Sequence, residues 1–285
     1  MPKATSALES LRRAYHGYLG GGILGHRAGT TVLSNADGDS EVSVVLAQGV
    51  AERMGVALCP EVPTGQTAGA LFTEYTKGFL EKAFALLTHL RPGKWEWGVG
   101  TSIAEFAQYQ HLAKLEEAFA GNPELRTALG SDYIITPDIV VSRRPLSDAE
   151  INTTQAVIGP AVATHSPLRA RAGDDVPLLH ASVSCKWTLR SDRAQNARSE
   201  GLNLVRNRKG SLPHVVFVTM EPLPSRLASI ALGTGDIDCC YHAALPELLA
   251  AAGSSGYADA AEMLKVLVEG RRLRDISDLP LDLAT

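Results

Sequence analysis

Two hydrophobic rhythms alternate along this chain, and they are clearest between Ser182 and Thr219. From Ser182 to Leu189 the alternation is strict: Ser182, Ser184, Lys186 and Thr188 fall on one side, Val183, Cys185, Trp187 and Leu189 on the other. That period of two predicts a half-buried strand with a small hydroxyl and an ammonium two residues apart on its polar face. The chain turns at Arg190-Ser191-Asp192, and the rhythm becomes helical, with Ala194, Ala197, Gly201, Leu204 and Val205 at helical spacing. Asp192 with Gln195 reads as a capping pair, and Lys209-Gly210 as the helix end. Pro213 to Thr219 is a near-continuous apolar run, as a buried sheet position requires. Together these pieces read as a right-handed crossover unit. Upstream, Tyr133 to Val141 is β-rich and apolar apart from Asp138, which follows Pro137 where an edge or bulge is expected.

Elsewhere helical spacing predominates. It predicts helices over 4–19, from Ser40 through Met54, from Pro63–Thr67 to Leu90 with Phe72, Tyr75 and Phe79 on one side, and over Thr101–Ala120. Shorter helices are expected at 122–130 and from a cap at Ser147 to Ile151, and two more at Leu245–Ala252 and Asp259–Glu269, the last with Asp259 as N-cap. Trp95 and Trp97 alternate as in a short strand. Gly20-Gly21-Gly22 lacks the Gly-Lys-Ser/Thr of a phosphate loop and reads as a turn, as does Gly233-Thr234-Gly235. From Val157 to Asp175 the chain is rich in Gly, Pro and Ala and carries Arg169 and Arg171. It predicts a long functional loop that clamps a ligand or meets another subunit, and not a domain boundary.

The 285 residues, 45% hydrophobic and 20% charged, have an ordinary globular composition. No apolar run approaches the ~20 residues of a membrane span, and Met1 to Arg13 has no signal-peptide core. Cys59, Cys185, Cys239 and Cys240 lack Cys-x-x-Cys spacing, so a reduced cytoplasm is expected. Charge changes the picture in one place. The chain has net charge -4, yet Lys186, Arg190, Arg193, Arg198, Arg206, Arg208 and Lys209 are opposed in their segment only by Asp192 and Glu200. Such an island reads either as the solvated face of an amphipathic helix or as the seat of an anionic ligand. The lysine on the adjoining strand and the acid at Asp138 favour the ligand.

An acid at a strand bend facing a Ser-x-Lys strand suits phosphodiester hydrolysis with a divalent cation. The carboxylate holds the metal, and the lysine helps orient or deprotonate water and offsets charge on the phosphorane. A Ser-His-Asp hydrolase drawn from Ser184, His180 and Asp138 fails on geometry, because residues four apart on a strand lie roughly 13 Å from each other. The histidines show no His-Glu-x-x-His spacing.

Pro137-Asp138, then Ser184-Cys185-Lys186, then Glu200 on the following helix, resembles the PD-(D/E)XK nucleases. More narrowly, it looks like the variant whose second acid has moved from strand to helix, that of the type II restriction endonucleases that cut around a central CCGG. The likeness spans most of the chain, through Ser34–Gly38, Gly65–Thr67, Asn122–Leu125, Gly130–Tyr133, Leu178–Ser182, Ser191–Gly201, Pro224–Arg226 and Asp275–Leu283. It implies an α/β, restriction-endonuclease-like fold: a mixed five-stranded sheet flanked by helices, with an additional helical lobe. A single domain is expected, its catalytic core at about 65–240.

The resemblance also implies roles. Asp138 and the Cys185 main-chain carbonyl would bind Mg²⁺, and Glu200 a second ion or its water. Lys186 would assist the nucleophile, supported by Ser184. The family carries an auxiliary acid directly after the phenylalanine of the 63–90 helix, where this chain has Thr73. Glu74 comes one residue later, about 100° around a helix, so either the helix is shifted or that acid is missing. Arg190, Asp192 and Arg193 would read CCGG from the major groove, since arginine matches guanine and a carboxylate accepts from cytosine. Gln66 would contact a base from the minor-groove side, and Asp37 with Arg226 would read the outer base pair. The implied reaction is cleavage of double-stranded DNA after the first G of GCCGGC by a homotetramer of two dimers. A cognate methyltransferase would belong to the same system without physical contact. Two alternatives stand beside it: a repair or junction-resolving nuclease on the same scaffold, and a catalytically silent DNA-binding protein.

Overall fold

Six strands form one sheet in the order β1-β2-β3-β4-β5-β6: β1 (Trp95–Val99), β2 (Ile139–Arg143), β3 (Leu178–Lys186), β4 (His214–Thr219), β5 (Cys239–His242) and β6 (Leu273–Asp275). The computed structural model describes residues 5–120, 124, 133–171, 175–233 and 235–285. Strand β1 pairs antiparallel with β2, Trp95 opposite Arg143 and Val99 opposite Ile139. Strands β4, β5 and β6 run parallel, with Val216 opposite Cys239 and Cys240 opposite Leu273. The sheet is therefore mixed, but it has six strands where five were expected. The sequence pattern marks four of the six; β5 and β6, four and three residues long, are too short for any periodicity to register.

The helices of the described residues are α1 (Ala7–Gly22), α2 (Glu41–Met54), α3 (Gly65–Ala85), α4 (Gln110–Ala120), α5 (Asp148–Ile151), α6 (Ser191–Asn207), α7 (Pro224–Ala231), α8 (Leu245–Ser254), α9 (Ala258–Glu269) and α10 (Leu279–Leu283). The chain divides into two compact units, Met1–Arg91 with Val183–Ser199 and Val215–Thr285, and Pro92–Ser182 with Glu200–His214.

In the first unit β4 is buried from Val215 to Thr219, which explains its unbroken apolar sequence, because a parallel strand is covered on both faces. Tyr15, Phe72, Phe84, Phe217 and Tyr241 are among its fully buried side chains, each worth about 2–3 kcal/mol of hydrophobic stabilisation. The Tyr15 hydroxyl is satisfied by Thr76 Oγ1 at 2.9 Å. Ser40 caps α2 as expected, and Gly55 ends it in the left-handed conformation, φ 62. Helix α1 overruns its expected end and includes Gly20-Gly21-Gly22. The reason is packing: a Cβ at Gly20 would strike Val56 and the Ala57 carbonyl, and one at Gly22 the Tyr75 ring. Gly20 and Gly22 admit neighbours, and the three glycines do not make the turn. Helix α9 has Tyr257 at its N-cap, with no side-chain hydrogen bond, so Asp259 lies within the first turn, where its charge still favours the helix dipole.

In the second unit the helix expected over 101–120 is broken. A 3-10 turn at Ile103–Glu105 precedes α4, and the residues between them serve the sheet. Gln108 acts as an extra piece of strand: its amide nitrogen donates to the Leu179 carbonyl at 2.8 Å and its oxygen accepts from the Leu179 N–H at 3.0 Å. Ala107 N–H donates to the Pro177 carbonyl at 3.0 Å. Ser147 caps α5 through a complete capping box with Glu150. The short helix expected at 122–130 lies outside the described residues, Glu124 excepted.

Candidate active site and DNA-reading loops

Asp138 occupies a bend immediately before β2, half-buried, with Pro137 buried beside it. Proline removes one backbone donor and the next residue enters the strand, so the carboxylate sits where pairing begins. It belongs to the second unit, as does Glu200, half-buried on α6 ten residues into the helix. Ser184, Cys185 and Lys186 end β3 in the first unit. Ser184 and Cys185 are buried and Lys186 is half-buried. His180, earlier on β3, packs against the Trp95 ring at 4.7 Å and the His214 ring at 5.0 Å. This is a packing role.

Glu74 is exposed on α3. It lines a cleft of about 210 Å³ with Leu11, Tyr15 and Tyr18 of α1 and with Lys82. Phe72, roughly 200° away around the helix, meets the Trp187 ring edge-on at 5.4 Å. The helix is not shifted so as to turn Glu74 toward Trp187, and the buried Thr73 occupies the position where the family pattern has its auxiliary acid.

Three loops of the first unit converge on a single side chain that the sequence pattern does not single out. Glu221, fully buried, follows β4. Its Oε2 accepts from the Leu189 N–H at 2.7 Å, at the entrance to the Arg190–Arg193 turn. Its Oε1 accepts from the Leu223 N–H at 3.1 Å, at the uncapped start of α7, which carries Arg226. Arg226 lies 3.7 Å from the same carboxylate and is ion-paired with Asp37. The Asp37 loop is tied to the same place, since Asn35 Nδ2 donates to the Met220 carbonyl at 3.0 Å. Burial pushes the Glu221 carboxyl up to about 7, opposed by the two backbone donors and Arg226. The signal available in sequence is slight: one acid between the apolar strand and Pro222-Leu223-Pro224.

Of the residues expected to read bases, Asp37 and Arg226 are thus brought together. Arg190 is exposed. Arg193 is folded back, its Nη1 donating to Thr188 Oγ1 at 3.0 Å and to the Thr188 carbonyl at 3.2 Å. Gln66 is exposed in the first turn of α3, after the Thr64 cap. The Asp192 side chain lies outside the described residues. The basic island is less uniform than its sequence. Arg198 donates to Asp236 at 2.6 Å and to the carbonyls of Ser229, Ile230 and Leu232, closing the end of α7. Arg208 donates to the Val205 carbonyl near the end of its own helix. In the 157–175 loop Arg169 is paired with Asp148 at 2.6 Å, in a cleft of about 430 Å³ that also includes Ser147, Pro160, Thr164 and Arg171.

A mixed sheet flanked by helices, with Pro-Asp entering one strand, Ser-Cys-Lys ending the next in sheet order and an acid on the helix that follows, defines a restriction-endonuclease-like protein. Comparison with known proteins agrees with that class. The family model described as NgoMIV restriction enzyme matches residues 15–285. The type II restriction enzyme NgoMIV of Neisseria gonorrhoeae is 52% identical over 278 residues, which cover 96% of this chain and 97% of the relative. The chain belongs to the NgoMIV restriction enzyme family and is a restriction endonuclease.

Proposed function

We propose that this endonuclease recognises GCCGGC in double-stranded DNA and hydrolyses the phosphodiester after the first G, using Mg²⁺. The observation that carries the reading is the first unit's arrangement of its base-reading candidates. Asp37 and Arg226 form one acid–arginine pair, and it adjoins the turn bearing Arg190 and Arg193. A carboxylate accepts from cytosine N4 and an arginine donates to guanine O6 and N7, so such a pair suits one G·C base pair. Two arginines with Asp192 suit the G·C pairs of the centre, and Gln66 an approach from the minor-groove side.

The donors present fit Mg²⁺. Among the described residues no three His, Cys, Asp or Glu side chains are grouped to hold a metal. Mg²⁺ does not require such a cage, since it keeps several waters and takes one or two carboxylates. Asp138 and the Cys185 carbonyl would hold it through oxygen alone, and Glu200 would hold a second ion or its water. When bound, Mg²⁺ acidifies the attacking water and offsets phosphate charge. The chain's own contribution is positioning and charge. The Lys186 ammonium orients the water and stabilises negative charge on the phosphorane, with the Ser184 hydroxyl supporting it. Water adds to phosphorus, the bond to the 3′ oxygen breaks, and a 5′-phosphate and a 3′-hydroxyl remain. We infer further that the protein acts as a tetramer of two dimers, each holding one site, beside a cognate methyltransferase that it does not contact.

A plasmid carrying two GCCGGC sites, incubated with Mg²⁺ and then with EDTA, tests this reading. Fixed metal-dependent cuts after the first G of each site are expected. Cuts at other CCGG sequences would discard the outer-pair assignment. Cutting that follows DNA structure and not sequence would favour a repair-type nuclease, and tight site-specific binding without cleavage a silent binder.

A further inference from the structure

We propose that Glu221 is a positioning residue for sequence discrimination, a buried bracket that holds the loop reading the outer base pair and the turn reading the central ones in a fixed relation. The inference rests on the recognition roles proposed above and adds a residue that touches no base.

The geometry supports the role. A carboxylate has two oxygens, and each takes a backbone N–H from a different loop: Leu189 at 2.7 Å before Arg190, and Leu223 at 3.1 Å before Arg226. Both N–H groups would otherwise be orphans, since Leu189 follows the end of β3 and Leu223 begins a helix with no side-chain cap. The third loop arrives through Asp37, which pairs with Arg226, and through Asn35, which holds Met220 next to Glu221. Glu221 is itself fixed from behind. His242 Nδ1 accepts from the Ala244 N–H, which leaves Nε2–H to donate to the Glu221 carbonyl at 3.2 Å. Bidentate contacts to bases tolerate little displacement, so a side chain that sets the spacing of Arg190, Arg193 and Arg226 sets how well all three can be satisfied together.

The ionised form is the one that serves both loops. A carboxylate accepts at either oxygen, whereas an amide or a protonated acid turns a donor toward one of the two N–H groups. The charged and titratable groups facing it are Arg226 and, beyond it, Asp37, with His242 on the main chain.

The test is the ratio of kcat/KM for a duplex containing GCCGGC to that for one containing ACCGGT, with Mg²⁺, in the natural protein and in Glu221→Gln. The ratio cancels the pH dependence of the chemical step common to both duplexes. The natural ratio should rise as pH increases from 6 to 8, across the carboxyl's value of about 7. In Glu221→Gln it should be lower by about tenfold, as expected when one buried donor loses its acceptor, and flat with pH. Hydrogen exchange at the Leu189 and Leu223 amides should lose protection in the variant. Natural discrimination, natural pH dependence or natural protection in Glu221→Gln would each overturn the proposal. A natural protein that cuts both duplexes equally would remove the outer-pair reading and this proposal with it.

Discussion

Thr73 and Glu74 differ by one position and by about 100° of helix, and the contacts of the helix decide which way each turns. The Phe72 ring is held against Trp187, which fixes the helix about its axis and sends Glu74 into the cleft with Tyr18 and Lys82. Glu74→Ala should therefore cut its DNA within about twofold of the natural rate, as substitutions away from buried or reacting groups do. Lys186→Ala, in the same assay, should abolish cleavage and keep specific binding. Equal loss in both would return Glu74 to the catalytic group. The candidacy of Lys186 and Asp138 is legible in sequence because the residue types follow from the chemistry. The placement of Glu74 is not, because the rotation of a helix is set by what packs on it.

At the scale of elements, α6 shows that a basic helix is not one electrostatic surface. Arg198 spends its donors on Asp236 and on the carbonyls that end α7, and cations at a helix C-terminus are stabilising there. Arg190, by contrast, stands exposed before the helix. Arg198→Ala should lower stability by about 1–3 kcal/mol in urea unfolding, as loss of a charged hydrogen-bonding partner does. It should leave the salt dependence of DNA binding unchanged. Removing one cation that neutralises a phosphate reduces the log–log slope by roughly 0.9, so a reduced slope in Arg198→Ala would assign that arginine to DNA. The broken helix at 101–120 teaches the same lesson. Its apolar spacing is helical, but Gln108 is drawn to the backbone N–H and carbonyl of Leu179, and two hydrogen bonds to a buried strand outweigh one more turn of helix.

At the scale of the molecule, buried titratable groups give stability a shape against pH. Burial pushes His242 down to about 4, and lowers His16 as well. Between pH 6.5 and 4 the unfolded chain takes up protons that folded His242 refuses, so its contribution is complete above 6.5 and is lost as pH falls. Glu221 works in the other direction. Its carboxyl, raised to about 7 from 4.5, keeps its proton in the folded state while the unfolded chain releases it, so stability falls as pH rises through that interval. In urea unfolding, the advantage of the natural protein over His242→Gln should shrink by on the order of 3 kcal/mol from pH 7 to pH 4, the equivalent of its shift. A constant difference would show that His242 does not carry the acid sensitivity.

The sequence by itself determined the family, the mixed α/β class, most helices, and the candidates for holding a metal and activating water at a phosphate. Those follow from local rules: period two or period 3.6, the capping chemistry of Ser40 and Ser147, and the few side chains that suit phosphoryl chemistry. Tertiary structure decided the two short strands β5 and β6, the break before α4, the continuation of α1 through three glycines, the side to which Glu74 turns, and the meeting of three loops on Glu221. Each depends on a partner tens to hundreds of residues away, as Asn35 does on Met220. No local pattern encodes such a partner, because the energy that selects it is the burial and the hydrogen bonding of groups that come together only when the chain has folded.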